Sequence, residues 1–372
     1  MQHQHQYRQS LRAGPVVDVT GPLWQDETAD EVLLRPPPRR AVRSRPRRRR
    51  RRRPLRRLVL VLLALLLGVP FGTYAWADTR LNRDVDLGTH GHRPPPGKGT
   101  TYLIVGSDSR AGLTAEEQRD LHTGAVSGRR TDSMILLHTG ESGTTMVSLP
   151  RDSWVTVPAY LRTSTGKRTK PAQSKLNASF SHGGPELLAR TVEFNTGLRI
   201  DHYAEIGFAG FVKIVDAVGG VRMCLPRAIR DEKSGADLRK GCQQLDGGES
   251  LAFVRQRHQE AEGDLGRTLN QQKFLAALAK RAATSDTLLD PTVLYPALGA
   301  GLDTLVVDRD MTLRQLASMV RAVQGVTDGR GRRINVPVAA VGVPTPQGSA
   351  IRWDEGRARE LFDRLRRDLP VG

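Results

Sequence analysis

Cysteine is almost missing from this chain: its 372 residues include two, Cys224 and Cys242. Two thiols without a clustered histidine partner make a poor zinc set, so a cysteine-built metal centre is excluded. No internal repeat is found, which excludes a repeat array. Acidic residues are absent from positions 39–57, where 13 arginines stand. Charge of either sign is absent from Leu58 to Ala77. The formal net charge of +18 is therefore mostly local. Residues 39–57 alone supply +13, residues 1–38 carry −2, and the rest of the chain holds only +7. The bulk of the protein is mildly basic, not a polycation.

The uncharged stretch LVLVLLALLLGVPFGTYAWA is 20 residues long. That is about the length needed to cross a hydrocarbon core of roughly 30 Å. Arginines beside a span hold that end in the cytoplasm. Tyr74 and Trp76 stand near its far end, where interfacial aromatics belong. Ala75-Trp76-Ala77 also resembles a signal-peptidase site. The 57 residues before the run are too many for a signal-peptide n-region, so the run is read as a retained anchor. The arginine tract next to it is read as a topology signal rather than a nucleic-acid arm. Nucleic acid is accordingly not an expected partner. The expected layout is a disordered, Arg-rich cytoplasmic tail (1–57), a transmembrane helix (58–77) and a Pro/Gly linker (78–99). A core domain (100–285) follows outside the cytoplasm, and helices and a strand (286–372) complete it.

In the outer region, TTYLIVG, SMILLHT and TTMVSLP read as strands, the last two joined by the turn GESG. PELLARTVEFNTG has the proline and glycine punctuation of a helix. IDHYAEIGF reads as a strand, AGFVKIVDAVGG as a helix and VRMCLP as a strand. GESLAFVRQRH and GRTLNQQKFLAALAKRAAT read as helices. A helix follows Asp290-Pro291, and another opens with a capping box from Thr312 to Gln315. INVPVAAVGV reads as a late strand and WDEGRARELFDRLRRDL as a terminal helix. This irregular α/β alternation with hairpins predicts a mixed sheet covered by helices on both sides. A location outside the cytoplasm permits a Cys224–Cys242 disulfide, the reading taken here; two buried free thiols are the alternative.

Five stretches could carry chemistry. GSDSR ends the first strand, where ligands sit in α/β sheets; Asp108 suits a metal, or a self-capped turn. In RRTDSMILL, Arg130 and Asp132 are two apart and share a face, as an anion clamp beside a metal ligand or as a surface ion pair. Arg151 in SLPRDSW offers a planar fork suited to phosphate oxygens. SKLNASF supplies Lys175. In FVRQRHQEAEGDLGRTLNQQKF, Arg267 and Gln271 lie four apart on one helix face, with Asp264 one turn earlier able to fix the Arg267 fork. Arg255 and Arg257 come from the preceding element. His258, without an acid partner nearby, is read as a loop histidine. Two acids for a hard cation among several guanidiniums resemble a site for a Mg²⁺-bound pyrophosphate.

The ordered series GSDSR, RRTDSMILL, SLPRDSW, KLNASF, RIDHYAEIGFAGFVKIVDAVGGVRMCLP and VRQRH…GDLGRTLNQQ resembles the LytR-CpsA-Psr family of cell-wall proteins. The likeness runs from about Thr100 to Ala283, and the paired cysteines and arginine-rich tail are similar to its actinobacterial members. It implies an α/β/α sandwich with an apolar lipid-binding tunnel. It also implies transfer of a glycopolymer phosphate from a polyprenyl-pyrophosphate carrier to peptidoglycan. By position, Asp108 and Asp132 would serve Mg²⁺, with Arg130 beside them. Arg151, Arg255, Arg257 and Arg267 would hold the diphosphate with Lys175 and Gln271, and Asp264 would orient the arginines. Loop 111–129 would bear on substrate choice. A hydrolase of the same lipid and a non-enzymatic lipid-binding protein remain alternatives.

Overall fold

The computed structural model describes residues 52–88, 93–110, 112–124, 130–162, 165–256, 264–282, 284 and 290–371, with only the backbone described at 52–53 and 264–272. Expectations for residues 1–51 lie outside the described residues.

Helix α1 (Arg52–Arg80) contains the uncharged run and is long and apolar enough to cross a membrane. Its Leu and Val side chains from Leu58 to Val69 are about half exposed or more. The chain leaves the helix at Arg80 and forms a strand almost at once, β1 (Asn82–Val85). Part of the segment expected to be linker thus belongs to the sheet.

The central sheet has seven strands in the order β1, β12 (Leu305–Asp308), β7 (His202–Ile206), β2 (Thr100–Ser107), β3 (Thr131–Gly140), β4 (Gly143–Ser148) and β13 (Arg332–Asn335). Pairs β1–β12, β2–β7 and β4–β13 are parallel; the rest are antiparallel, so the sheet is mixed as expected. Leu103, Val105, Met134, Leu136 and Val147 point to one face. There they pack on α3 (Leu176–Thr196) and on α9 (Glu355–Arg366) through Leu188, Val192 and Phe362. Tyr102, Ile135, Leu137 and Met146 point to the other face. They meet α6 (Asp264–Ala282), α7 (Pro291–Thr304) and α8 (Leu313–Thr327). The period-2 alternation of buried side chains thus gives a layer of helices on each face. A further apolar cluster joins α4 (Phe208–Ala217) and α5 (Gly247–Arg255) to α6. It also holds β8 (Val221–Leu225), β9 (Ile229–Asp231), β10 (Ala236–Leu238) and β11 (Gly241–Leu245).

Three local readings change. The expected strand at 334–343 is two elements: Arg332–Asn335 joins the main sheet, while β14 (Val338–Thr345) pairs with β15 (Gly348–Trp353). Pro337 stands between them and has no N–H to continue a ladder. Helix α3 starts at Leu176, not at Pro185; it is two helical pieces kinked at Gly183–Gly184, where Gly184 takes a φ of 68°. A hairpin of β5 (Trp154–Val157) and β6 (Ala172–Lys175) was not foreseen. The capping box of α8 is present, with Thr312 Oγ1 accepting from Gln315 N.

Cys224 and Cys242 sit directly opposite each other on β8 and β11 and are joined in a disulfide. At a separation of 18 residues, closing this loop stabilises by about 3 kcal/mol. Replacing Cys242 by Ser should lower Tm by roughly 5–10 °C in differential scanning calorimetry.

The chain after α9 clasps the β3–β4 turn. Asp368 accepts hydrogen bonds from Glu141 N (2.6 Å) and Ser142 Oγ (2.6 Å), with His138 Nε2 at 3.6 Å. His138 is buried, and Thr101 Oγ1 lies 3.0 Å from its Nδ1. Burial holds its pKa below the usual histidine value, with Asp368 opposing that shift. His182 is lowered too, by burial and by Arg162. The unfolded chain therefore takes up these protons first as pH falls. Stability should be fully present above about pH 6.5 and decline below it. Tm measured from pH 7 to pH 5 should fall, and His138→Asn should flatten, without abolishing, that slope.

Candidate functional site

The candidate site forms at one end of the sheet, where β2 and β4 finish and β3 begins. A register shift between Gly106 and Ser107 marks the end of the β2–β3 ladder. Thr131 Oγ1 secures it by donating to Gly106 O or Ser133 O, each at 3.1 Å. Just beyond, Asp108 and Arg130 lock the two strand ends together. Asp108 N donates to Arg130 O at 2.9 Å, and Arg130 N donates to Asp108 Oδ1 at 2.6 Å. Burial raises the Asp108 carboxyl above the usual carboxylate range; the Arg130 N–H opposes this, and the nearby Asp132 charge adds to it. The charges of Arg110 and Arg130 oppose it further, and Arg130 is exposed.

Asp132 starts a chain of alternating charges. Arg151 Nη1 lies 2.7 Å from Asp132 Oδ1, and Arg151 Nε lies 3.4 Å from Asp152 Oδ2. Lys175 Nζ lies 2.8 Å from Asp152 Oδ1. These side chains are 19–30% exposed, so the chain is neither dry nor fully solvated. Its backbone is fixed from several sides. Ser153 N donates to Pro150 O, making a turn that carries Arg151. The first N–H groups of α3 point into that turn: Leu176 N donates to Ser153 O at 2.9 Å and Asn177 N to Arg151 O at 3.1 Å. Trp353 Nε1 donates to Ser153 Oγ at 2.8 Å from β15. A helix start that lacks a side-chain cap thus satisfies its orphan donors by gripping the arginine turn.

Arg255 behaves differently from expectation. It ends α5, and its fork donates to Leu121 O (2.8 Å) and His122 O (2.7 Å), with the guanidinium 5.0 Å from the centre of the Phe208 ring. These carbonyls follow the short helix α2 (Ala115–Asp120), where His122 takes a φ of 50°. Arg110 binds the next carbonyl, Thr123 O, through Nη2 at 2.6 Å. Two guanidiniums therefore pin the turn after α2. Arg257 lies outside the described residues, as do the side chains of Asp264, Arg267 and Gln271, whose backbone forms the first turns of α6.

Beside these charges an apolar cavity of about 160 Å³ opens between the sheet and helices α4, α5 and α6. Ile104, Ile135, Phe211, Leu251, Phe274 and Leu278 contribute to its wall. Its polar edge is Ser107, Asp132, Ser133 and Arg255. Ser107 Oγ is buried and has no hydrogen-bond partner among the described residues. A cavity of this volume admits a benzene-sized apolar group. It is the space that the expected lipid tunnel would use.

Asp152, Arg110 and Ser107 were not singled out from sequence. Asp152 carried a signal, a carboxylate adjoining the chosen arginine, but nothing local showed that it also reaches Lys175. For a divalent cation, the residues present offer the Asp108 and Asp132 carboxylates. Among the described residues no group of three or more His, Cys, Asp or Glu could hold a metal. Two carboxylates, one of them raised chiefly by burial and further by its neighbour's charge, fit a cation that takes its remaining ligands from water and phosphate.

The sequence model of the LytR_cpsA_psr family matches residues 83–358. The probable cell wall biosynthesis protein LcpB of Corynebacterium glutamicum is 40% identical over 308 residues, covering 82% of this chain and 69% of the relative. A polyisoprenyl-teichoic acid–peptidoglycan teichoic acid transferase, TagU of Oceanobacillus iheyensis, is 30% identical over 299 residues, covering 75% of this chain and 85% of that protein. Among solved structures, a LytR-Csp2A-Psr enzyme from Actinomyces oris shares the fold, with a TM-score of 0.56 at 21% identity over 77% of this chain and 96% of that one. A match across most of the chain, with a relative at 40% identity, makes this protein a member of the LytR-CpsA-Psr family.

Proposed function

We propose that the protein transfers a glycopolymer phosphate from a polyprenyl-pyrophosphate carrier to peptidoglycan, at the outer face of the membrane and with Mg²⁺. Transferase chemistry in cell-wall assembly follows from the family membership. The finer reading rests on one observation: the apolar cavity adjoins the charged cluster, sharing Asp132 with it. An amphiphile with a greasy tail and a diphosphate head needs these two environments side by side.

In this reading the isoprene units next to the diphosphate enter the cavity. Arg151 and Lys175, held by Asp132 and Asp152, offer donors to the phosphate oxygens. Arg257, Arg267 and Gln271 complete the set, Asp264 orients the arginines, and Arg130 neutralises charge beside Asp108, while Arg255 holds the turn after α2. A sugar hydroxyl of peptidoglycan attacks the phosphorus that carries the glycopolymer. A new P–O bond forms, the bond to the bridging oxygen breaks, and polyprenyl phosphate leaves. Bound Mg²⁺, held by Asp108 and Asp132, would supply charge neutralisation on the phosphoryl oxygens. Asp108 is the candidate acceptor for the hydroxyl proton. The arginine-rich tract beside the span supports an N-terminus in the cytoplasm and a domain outside.

Full-length protein incubated with Mg²⁺, lipid-linked glycopolymer and peptidoglycan should give glycan covalently joined to peptidoglycan. Free glycan phosphate alone would mean hydrolysis, and no turnover would mean a binding role. Asp132→Ala and Arg257→Ala should each lower transfer by at least about 100-fold, the scale of losing a positioned electrostatic group, with unchanged circular dichroism. Arg151→Lys should lose most activity too, since an ammonium keeps the charge but not the planar fork. Full activity in both alanine variants would mean that the site lies elsewhere.

A further inference from the structure

We infer that the β5–β6 hairpin and the adjoining part of α3 bind the peptidoglycan acceptor, through arginines that take the carboxylates of its stem peptides. This inference rests on the transfer reading above and assigns the side from which the acceptor enters.

The surface is basic and lacks a counter-charge of its own. Between Asp152 and Glu186 the chain contains no acid, while Arg162, Lys167, Arg168, Lys170 and Lys175 all fall in that interval. Arg190 joins them from α3. Burial, and then the Arg168 charge, holds the Arg190 pKa below its usual value; burial, and then Arg162, does the same for His182. The cations are thus near enough to feel one another. Glu186 turns back toward Gly184, where a methyl group would meet its carboxylate at 3.5 Å. Among the described residues, Arg162, Lys167, Arg168, Lys170 and Arg190 make no ion pair. Arg151 has acids on both sides, but this group leaves its charge for an anion from outside.

The hairpin holds this charge on a fixed arm. Its ladder continues beyond β5 and β6: Thr169 N donates to Tyr160 O at 2.8 Å, and Arg162 N to Lys167 O at 2.9 Å. Gly166 N closes the turn on Arg162 O at 2.8 Å, with Gly166 at a φ of 65°. The Tyr160 ring stacks on His182 of α3, centroids 6.0 Å apart. At the foot, Asn195 of α3 accepts from Thr156 N (3.0 Å) and donates to Thr156 O (2.8 Å). Location decides the occupant. Val155 of β5 and Leu176 belong to the core on the α3 face of the sheet, whereas the cavity opens on the face covered by α4, α5 and α6. The ion chain Asp132–Arg151–Asp152–Lys175 leads from the cavity edge to the foot of the hairpin. In phosphoryl transfer the attacking and leaving oxygens stand roughly in line. With the departing polyprenyl phosphate on the cavity side, the attacking sugar hydroxyl comes from the hairpin side. Arg168 stands seven residues before Lys175, at most about 23 Å of strand. A glycan whose hydroxyl lies at the charged cluster can therefore lay its carboxylate-bearing peptides along the arm.

The test uses full-length protein in detergent and peptidoglycan sacculi freed of attached polymer. Wild type should sediment with the sacculi at low salt, and salt of about 0.5 M should release it by screening. Arg162→Gln, Arg168→Gln and Arg190→Gln combined should weaken this binding about ten-fold, since exposed charge pairs are individually weak. Lysine at the same three positions should keep it. Sacculi whose carboxylates have been amidated should bind wild type no better than native sacculi bind the glutamine variant. In the transfer assay the glutamine variant should raise the KM for peptidoglycan and leave the KM for the lipid donor and the circular dichroism unchanged. Equal binding of wild type and glutamine variant to native sacculi overturns the inference, as does equal binding of wild type to native and amidated sacculi. A raised donor KM with an unchanged peptidoglycan KM also overturns it, giving the arm to the glycopolymer instead. Arginine-dependent binding by a wild type that transfers nothing upholds the surface and overturns the transfer reading alone.

Discussion

The site depends on a guanidinium held between two carboxylates. Arg151 is clamped by Asp132 on one side and Asp152 on the other, and Asp152 reaches on to Lys175. Left unbalanced, two cations this close would repel each other and swing into water. With acids interleaved, they stay where β4 ends, in defined positions before any ligand arrives. The backbone beneath is equally committed, because the start of α3 and Trp353 both bind the Pro150–Ser153 turn. Such preorganisation lowers the reorganisation needed when a strongly charged group binds.

The sheet separates two environments along its own axis. Its middle is apolar on both faces, and its end is polar. The cavity starts in the first region and opens on the second, so Asp132 belongs to both. Arg255 shows how one residue serves two purposes here. Its stem reaches the cavity, while its fork holds the turn after α2. Arg110 grips the same turn from just beyond β2. The segment that follows α2 is thereby coupled to the end of α5 across more than a hundred residues of sequence.

Much of this was legible in the chain. Strands β2, β3 and β4 announced themselves by short β-branched runs and a turn signal, and α8 by its capping box. The motif order was specific enough to imply the fold and the family. Asp108, Arg130, Asp132, Arg151 and Lys175 do converge at one end of the sheet. What was hidden was non-local. Nothing in Asn82–Val85 distinguishes an edge strand from a linker until β12, more than two hundred residues later, offers it a partner. The second role of Asp152 depends on the β5–β6 hairpin returning Lys175 to its side. Arg255 reads as one cation of a cluster, yet its fork is occupied by carbonyls that sequence separation conceals. The division of 334–343 turns on Pro337, a breaker inside a run whose apolar residues otherwise suit a single strand.

Strand β1 carries a practical consequence for anyone handling this domain in water. It covers the outer rim of β12, and Arg309 N donates to Val85 O to extend the contact. A soluble fragment begun at Thr100, where the motif-bearing region starts, would strip that rim and leave a row of bare amides and carbonyls. Such an edge invites strands from neighbouring molecules. Trimming the membrane-proximal segment would thus trade an anchor for a sticky border, and a fragment that keeps Leu81 onward preserves the sheet's own closure.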